Sequence, residues 1–532
     1  MKSNLLKRNK QLYHVVLLLL VITATVGVIS YNNLFCDGQI IGKWIGLGVS
    51  LCATTLFLTT TSTHVEYGLD IIAIPFLIAS IIVSIHSLLQ ITGIIHVNTV
   101  NGYRVLAGFD NPAGVAASLT VSLPFTFAFL DKVKDSVIKY VALSGTCGVV
   151  LTILAIARSR VGILASGIVL LLYVLHTLEN VKTRKIIAFL LSLILLAAVV
   201  YMSFSKRGSN SGRALILGVC WDMFKDAPLF GHGLHGFRSQ YMLYQADYLE
   251  HCGSSVLPML ADNTTHPLNE YALLAVNFGV IGIAMLLFGI IITIMHYFKN
   301  PSNDSFFGIM TIAGIGVLSM FSYPFRYPLT LLGLLCALLL VYKDVLLNLS
   351  RTTMIIIRSI TAIISSLCLC LLIIWAHYQV QWKEISVVSD NGNETKAVLE
   401  GYDILYPKLK NDPYFLYNYA YVLSENGDCK KAGDMAIDSF GLMANYDTAL
   451  LIADNAKECG DVDMAEEFYW VASKMCPVRF MPLYGLFCLY KELDRTDDLL
   501  EIGQTILSKP VKINSNEIRT IRSNVKQTLI KM

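Results

Sequence analysis

Residues 262–298 read DNTTHPLNEYALLAVNFGVIGIAMLLFGIIITIMHYF. A polar stretch ending in a histidine gives way there to about thirty mostly apolar residues, more than the roughly 18–25 that a bilayer crossing needs. Comparable runs recur at 12–31, 44–62, 70–94, 113–130, 137–157, 161–178, 186–204, 268–298, 306–323, 328–347 and 354–376. The chain has 532 residues, 55% hydrophobic and only 15% charged, with a mean hydropathy of +0.59. These values predict an all-α polytopic membrane protein with about eleven transmembrane helices. The first run follows Lys2, Lys7, Arg8 and Lys10 without a small-residue cleavage site, so it reads as a retained signal-anchor.

Basic residues orient the spans, because short cytoplasmic loops collect Lys and Arg. With the N-terminus inside, the inner loops hold fourteen basic residues, among them Lys132, Lys139, Lys182, Lys185, Lys343 and Arg351. The short outer loops hold five: Lys43, Arg104, Arg158, Arg160 and Arg326. This arrangement puts the long loop 205–266 and the region after the last span outside.

After about residue 378 the composition turns to that of a soluble protein, with 17 basic and 23 acidic residues up to 532. The expected division is therefore a membrane domain at 1–378 and a second domain at 379–532. Within the second domain NGDCKKAGDMA at 426–436 is echoed by CGDVDMAEEFY at 459–469 and more faintly by LDRTDDLLEIG at 493–503. Gly427 and Gly460 lie 33 residues apart, as do Ala432 and Ala465. The spacing resembles tetratricopeptide repeats, helical hairpins that stack into a short solenoid. The twelve cysteines include no CxxC pair or metal-ligand spacing, and Cys429, Cys459, Cys476 and Cys488 fall where disulfides are permitted, with their pairing open. Phosphate-cradling glycine loops, zinc signatures and aromatic-basic nucleic-acid surfaces are absent, so no cofactor, metal or nucleic acid is expected.

The outward face before residue 378 carries seven arginines and three lysines, whereas the inner loops carry ten lysines and four arginines. Lysine suffices for bulk charge, but a planar guanidinium fork suits bidentate capture of phosphate. Arg158 and Arg160, in IARSRVG, stand between two apolar runs with almost no loop, near interface depth. An arginine deep in a bilayer costs roughly 3 kcal/mol, which a bound anion would offset. Arg213 opens an amphipathic segment, and Arg207 and Arg238 lie on the same long loop. Each could alternatively snorkel to lipid headgroups.

Four segments, in order, resemble the O-antigen ligase and polymerase superfamily of envelope glycan transferases. FDNPAGVAASLTVSLPF at 109–125 looks like the family's asparagine-proline opening of a span. ARSRVGILASG at 157–167 looks like its serine-arginine-glycine stretch, with Arg160 at the arginine position. GRALILGVCWDMFKDAPLFGHGLHGF at 212–237 looks like its arginine followed by a Pro-x-x-Gly-x-Gly turn, here Pro228, Gly231 and Gly233. The opening stretch looks like its histidine-led motif, with His266 followed by Gly279 and Gly282. Two positions depart from the pattern: Pro267 follows the histidine, with Asn269 two places later, and Asn277 stands where an acidic residue often precedes the first glycine. The resemblance covers about residues 1–375 and leaves the repeat domain aside.

The resemblance implies a metal-independent inverting glycosyltransferase whose donor is a glycan linked through pyrophosphate to a polyprenyl lipid, and whose acceptor is a hydroxyl. Pyrophosphate is a good leaving group, so its growing charge can be met by arginines, leaving one need, a base for the acceptor hydroxyl. His266 is the candidate base, with Arg160, Arg213, Arg158, Arg238 and Asn269 as candidate substrate-binding residues. Thr264, Thr265 and Pro267 read as a capped helix start that would hold His266 at the outer mouth of a span. The acceptor, glycolipid or protein, would be presented by the repeat domain. Alternatives within the class are a repeat-unit polymerase and a protein O-oligosaccharyltransferase; from another class, a glycolipid transporter or flippase. Transporters carry ionisable groups within spans, whereas Asp70, Asp110 and Glu270 stand at span ends.

Overall fold

The computed structural model describes all residues except 1, 30–32, 61–67, 98–101, 188, 191, 194–206, 254–255 and 391–394, and describes 2–11, 60, 207–210, 390 and 395 by backbone only. Among the described residues the chain is helical and contains no strand. It divides into two compact units, residues 1–205 with 287–383, and residues 206–286 with 384–532.

The first unit opens with α1 (Lys2–Ile29), α2 (Ile41–Thr60), α3 (Leu69–Ile91), α4 (Pro112–Leu130), α5 (Ser136–Ile156) and α6 (Arg160–Thr177). The second unit opens with α7 (Arg207–Asp226) and α8 (Gly236–His251), so the expected loop 205–266 is largely helical. Then follow α9 (Glu270–Lys299), α10 (Asn303–Phe321), α11 (Pro328–Val341) and α12 (Arg351–Asp390). Nine of these helices are long and apolar enough to cross a membrane, and α11, at 14 residues, is a shorter apolar helix. The chain is a multi-pass membrane protein. Ten of the eleven expected spans thus have a helix, and the one at 186–204 lies largely outside the described residues.

Helix α4 is the hub of the first unit, buried along nearly its whole length. It begins where the sequence implies: Asn111 accepts the Ala113 N–H at 3.0 Å and Pro112 occupies the first turn. Its small residues let neighbours approach closely, as membrane helices require. Thr120 and Ser166 bond at 3.0 Å, and a Cβ on Gly333 would lie 2.2 Å from Val121. Charged residues sort to two ends. Lys43 lies over Phe109, Trp44 donates to the Arg326 carbonyl, and Arg326 and Tyr327 both bond Asp110 at one end. Lys132 pairs with Asp70, Lys139 with Asp131, and Lys343 with Asp304 at the other. Each pair joins residues that the positive-inside pattern assigns to one face.

Helix α9 corrects one expectation. The run 268–298 is not one continuous helix, because Gly279 has φ 61° and ψ −154° and breaks it. Only glycine occupies that region without severe steric cost.

In the second unit α13 (Thr395–Leu409) precedes three hairpins, α14 (Pro413–Glu425) with α15 (Cys429–Leu442), α16 (Tyr446–Glu458) with α17 (Val462–Met475), and α18 (Met481–Glu492) with α19 (Thr496–Ser508). Helix α20 (Asn516–Lys531) closes the stack. The first helices begin at 413, 446 and 481, the second at 429, 462 and 496, a tetratricopeptide-like spacing. Left-handed turn residues are Gly427 (φ 80°), Gly460 (φ 78°) and Asp494 (φ 52°). The third repeat keeps the turn but not the glycine, which is why its sequence echo is faint. Cys429 and Cys459, left unpaired by the sequence, form a disulfide with Cα atoms 5.8 Å apart.

Helices α7 and α8 do not form a separate loop domain. Leu215, Val219, Met223, Phe237, Tyr241 and Met242 share one buried core with Ala444, Tyr446, Ala449, Ala472, Met475 and Cys476 of the repeats.

Candidate functional site

The glycine turn after α7 and the broken α9 complete each other. In an unbroken helix the Val280 and Ile281 N–H groups would donate to the Val276 and Asn277 carbonyls. Instead they donate to Pro228 (2.8 Å) and Leu229 (3.3 Å), while His232 and Gly233 N–H groups take the vacated Val276 and Asn277 carbonyls, both at 2.9 Å. The turn is inserted into the helix's own hydrogen-bond ladder. Asn277 locks it: its side chain accepts from Phe237 N at 3.0 Å and donates to the Leu234 carbonyl at 2.9 Å. A buried amide can do both, which an acidic residue there could not. The approach leaves no room for side chains, since a Cβ on Gly279 would lie 2.5 Å from the Leu229 carbonyl and one on Gly231 2.4 Å from the Asn277 carbonyl carbon.

His266 lies ahead of this helix rather than in it. The expected cap by Thr264 and Thr265 is not made. The helix begins at Glu270, and Asn269 caps it, accepting the Tyr271 and Ala272 N–H groups at 2.9 and 3.0 Å. Thr264 is engaged otherwise: its hydroxyl donates to the Asp262 carbonyl at 3.2 Å. Between histidine and cap, Leu268 takes a left-handed conformation (φ 56°) and donates its N–H to His266 Nδ1 at 3.1 Å. An accepting Nδ1 puts the neutral ring's proton on Nε2, and Nε2 faces Glu270 Oε2 at 3.9 Å. The two side chains are 23% and 14% exposed, enough shelter for a charge to be felt. Glu270 is the partner that sequence reasoning missed. Its signal was the four-residue spacing from His266.

The arginines divide between the units. Arg158 and Arg160 belong to the first, at the turn between α5 and α6. Arg158 is exposed with φ 55°, its N–H donating to Ala155 at 3.0 Å, and Ser159 caps α6 so that half-buried Arg160 opens its first turn. At the α5 end of this turn Ile156 lines a cavity of about 360 Å³ with Gln90, His96, Tyr103 and Arg104. Gln90 sets that wall by accepting the Leu106 and Ala107 N–H groups, both at 2.8 Å. Arg213 and Arg238 belong to the second unit, with His266. Arg213 is half-buried in α7. Arg238 is engaged by the repeats, its guanidinium 4.9 Å from the Tyr414 ring centre and its Nε 3.2 Å from Met443 Sδ. The side chain of Arg207 lies outside the described residues.

Of the remaining loop histidines, two contact backbone carbonyls through their rings and the third stands at a helix start without capping it. His232 donates from Nε2 to the Met223 carbonyl at 2.7 Å, His235 stands at the start of α8, and His251 contacts the Asp247 carbonyl at 2.9 Å.

No curated protein matches the sequence. Among solved structures, the crystal structure of yeast Tom70 aligns with 9% identity and a TM-score of 0.26, over 92% of this chain and 96% of that one. The stretch from α5 into α9, residues 145–287, holds Arg158, Arg160, Arg213, Arg238, His266, Asn269 and Glu270, and it is this stretch that matches the family model of the O-antigen ligases.

Proposed function

We propose that the protein transfers a polyprenyl-pyrophosphate-linked oligo- or polysaccharide to an acceptor hydroxyl at the periplasmic face of a bacterial inner membrane. The observation that carries this reading is the His266–Glu270 pair, set at the start of a broken membrane helix in the stretch similar to O-antigen ligases. The N-terminus is inside and the repeat domain outside, a sidedness supported by the basic-residue asymmetry and by the Cys429–Cys459 disulfide, which needs an oxidising compartment.

The reaction is a single displacement with inversion. The acceptor oxygen forms a bond to the anomeric carbon as the bond to pyrophosphate breaks, and the leaving pyrophosphate takes the electron pair. Arg160 and Arg213, with Arg158 as a further contributor, meet its growing charge in place of a metal ion, while Arg238 is engaged by Tyr414 and Met443. The acceptor proton passes to His266. Glu270 holds the Nε2–H and stabilises the imidazolium, which leaves Nδ1 as the basic nitrogen. Leu268 N–H covers Nδ1 in the structure, and the acceptor hydroxyl takes its place. Such contacts are often long before substrate binds, as the 3.9 Å between Nε2 and Glu270 is. The acceptor is a glycolipid or protein hydroxyl, presented with the help of the repeat domain.

The test uses purified full-length protein with an undecaprenyl-pyrophosphate-linked oligosaccharide and a lipid-core glycolipid. Glycan should move to the glycolipid with release of undecaprenyl pyrophosphate, and His266→Ala should slow this at least about 10²-fold, the lower end for losing a general base. Donor binding should persist. His232→Ala, His235→Ala and His251→Ala serve as controls. Normal transfer by His266→Ala, or an equal collapse in His235→Ala and His251→Ala, removes the base from this residue. Deletion of the gene identifies the acceptor: uncapped lipid core marks a ligase, and single capped repeats mark a polymerase.

A further inference from the structure

The segment that delivers His266 has no regular structure of its own, and its polar groups are gripped from outside. Gln245 of α8 is 1% exposed and donates its amide to two carbonyls, Asp262 at 3.2 Å and Met475 at 2.8 Å, while its own oxygen accepts from the Tyr241 hydroxyl at 3.0 Å. One side chain therefore ties the chain four residues before His266 to the end of α17. Arg479, just beyond α17, donates to Asp262 Oδ1 at 3.1 Å with its guanidinium 5.6 Å from the Tyr446 ring centre. Asn263 donates to Asp447 of α16 at 3.0 Å. Ala261, 1% exposed, sits in the core shared with the repeats.

Resting on the reading of His266 as the base, we propose that Gln245, Arg479 and Asp447 are positioning residues for it, and that the repeat domain is the frame that fixes the imidazole opposite Glu270. Only Thr264, whose N–H is directed at Met242 Sδ of α8 at 3.3 Å, and Thr265 separate the gripped residues from the histidine, so slack at 262–263 is passed on toward the ring. A misplacement of about 1 Å can cost about 10²-fold in rate. Anything that binds α16 or α17 near Arg479 would act on the same grip.

The experiment measures transfer by the full-length protein with the same donor and core glycolipid. Arg479→Met and Asp447→Ala change exposed side chains and should fold. Each should lower kcat about 10-fold, and the pair about 10²-fold, with KM for donor and glycolipid unchanged. Arg479→Lys should recover most of the loss. Gln245→Met should act more strongly but disturbs a buried site, so the exposed pair is the deciding comparison. Lys474→Met, which breaks the Lys474–Glu250 ion pair at 2.9 Å between the same two helices, should stay near wild type. Hydrogen exchange at amides 262–268 should quicken in the Arg479 and Asp447 variants and not in Lys474→Met. Wild-type kcat in the double variant, an equal loss in Lys474→Met, or a raised glycolipid KM at constant kcat would overturn the proposal. A fully active His266→Ala would instead sink the reading beneath it, and the exchange measurement would still show whether these residues hold the segment.

Discussion

Asp262, on the segment that leads into His266, and Arg479, just beyond α17, stand 217 residues apart in sequence and 3.1 Å apart in space. The contact belongs to a wider seam in which α7 and α8 bury apolar residues against the repeats. Deleting residues 385–532 should therefore uncover Leu215, Val219, Met223, Tyr241 and Met242 together. Burying such side chains contributes about 1.5–3 kcal/mol each, so the truncated protein should aggregate on size exclusion and its 207–265 segment should be cut rapidly by protease. A monodisperse truncation with a resistant segment would show that α7 and α8 stand without the repeats.

The arginines allow charge to be separated from shape. Arg160→Lys and Arg213→Lys retain the charge but lose the fork, so both should stay impaired in donor binding if phosphate is held bidentately. Substitution by Ala should cost about 1.5–3 kcal/mol per charge-assisted bond lost. Arg238→Ala should differ, because its guanidinium lies over Tyr414 and against Met443. Its effect is expected on stability more than on donor affinity. Donor titration beside thermal unfolding of each variant checks the distinction, and wild-type affinity in both Lys variants would reduce those arginines to headgroup anchors.

How much of this is legible in the sequence depends on the range of the interaction. Spans follow from hydropathy, and the α4 start follows from Asn111-Pro112, because both are local. The repeats show through Gly427 and Gly460, since a left-handed turn selects glycine, and fade where Asp494 takes the same conformation. The break in α9 is hidden, because a glycine inside an apolar run reads equally well as a packing residue. Only the turn at 228–233, some fifty residues upstream, makes Gly279 a break. The sequence points to the threonines rather than Asn269 as the cap because two plausible caps stand five residues apart. The grip of Gln245 on Met475 spans 230 residues and leaves no periodic trace at all.

The third repeat turn offers a stability test. Asp494 holds φ 52°, a conformation costing a residue with Cβ roughly 1–2 kcal/mol, part of which glycine returns as chain entropy. Asp494→Gly should thus stabilise the repeats by about 0.5–1 kcal/mol, read as slower hydrogen exchange in α18 and α19. Faster exchange would mean that the Asp494 side chain contributes more than its backbone costs.

A pH test follows from Lys509. Burial lowers its ammonium from the usual lysine range to about 8, and its Nζ lies 5.3 Å from the Phe480 ring centre. Because the folded value lies below the unfolded one, folding works against the charged form at neutral pH. Stability should therefore rise as pH passes from about 8 toward 10, where the unfolded chain loses its proton too. Lys509→Met should stabilise α19 at pH 7 by about 1–3 kcal/mol and abolish that rise. An unchanged pH profile in Lys509→Met would assign the rise to other groups.

The interlocked turn makes the last prediction. Gly279 presents a bare Cα to the Pro228 and Leu229 backbone and Gly231 to the Asn277 and Phe278 backbone, and a Cβ on either would meet carbonyl atoms at 2.4–2.6 Å. Backbone cannot swing aside as a side chain can, and both positions also have positive φ. Gly279→Ala and Gly231→Ala should each force the four exchanged hydrogen bonds apart, a loss of several kcal/mol on the scale of about 1 kcal/mol per bond. Gly233 has φ 90° but open space around its Cα, so Gly233→Ala should show backbone strain alone. Gly289, in the same helix with nothing within 4 Å, should tolerate alanine. Exchange at the Val280 and Ile281 amides, measured with transfer, should order the variants Gly289, Gly233, then Gly231 and Gly279 together. If Gly279→Ala kept protected amides and wild-type transfer, the inserted turn would not be what holds the end of the helix beside His266 in place.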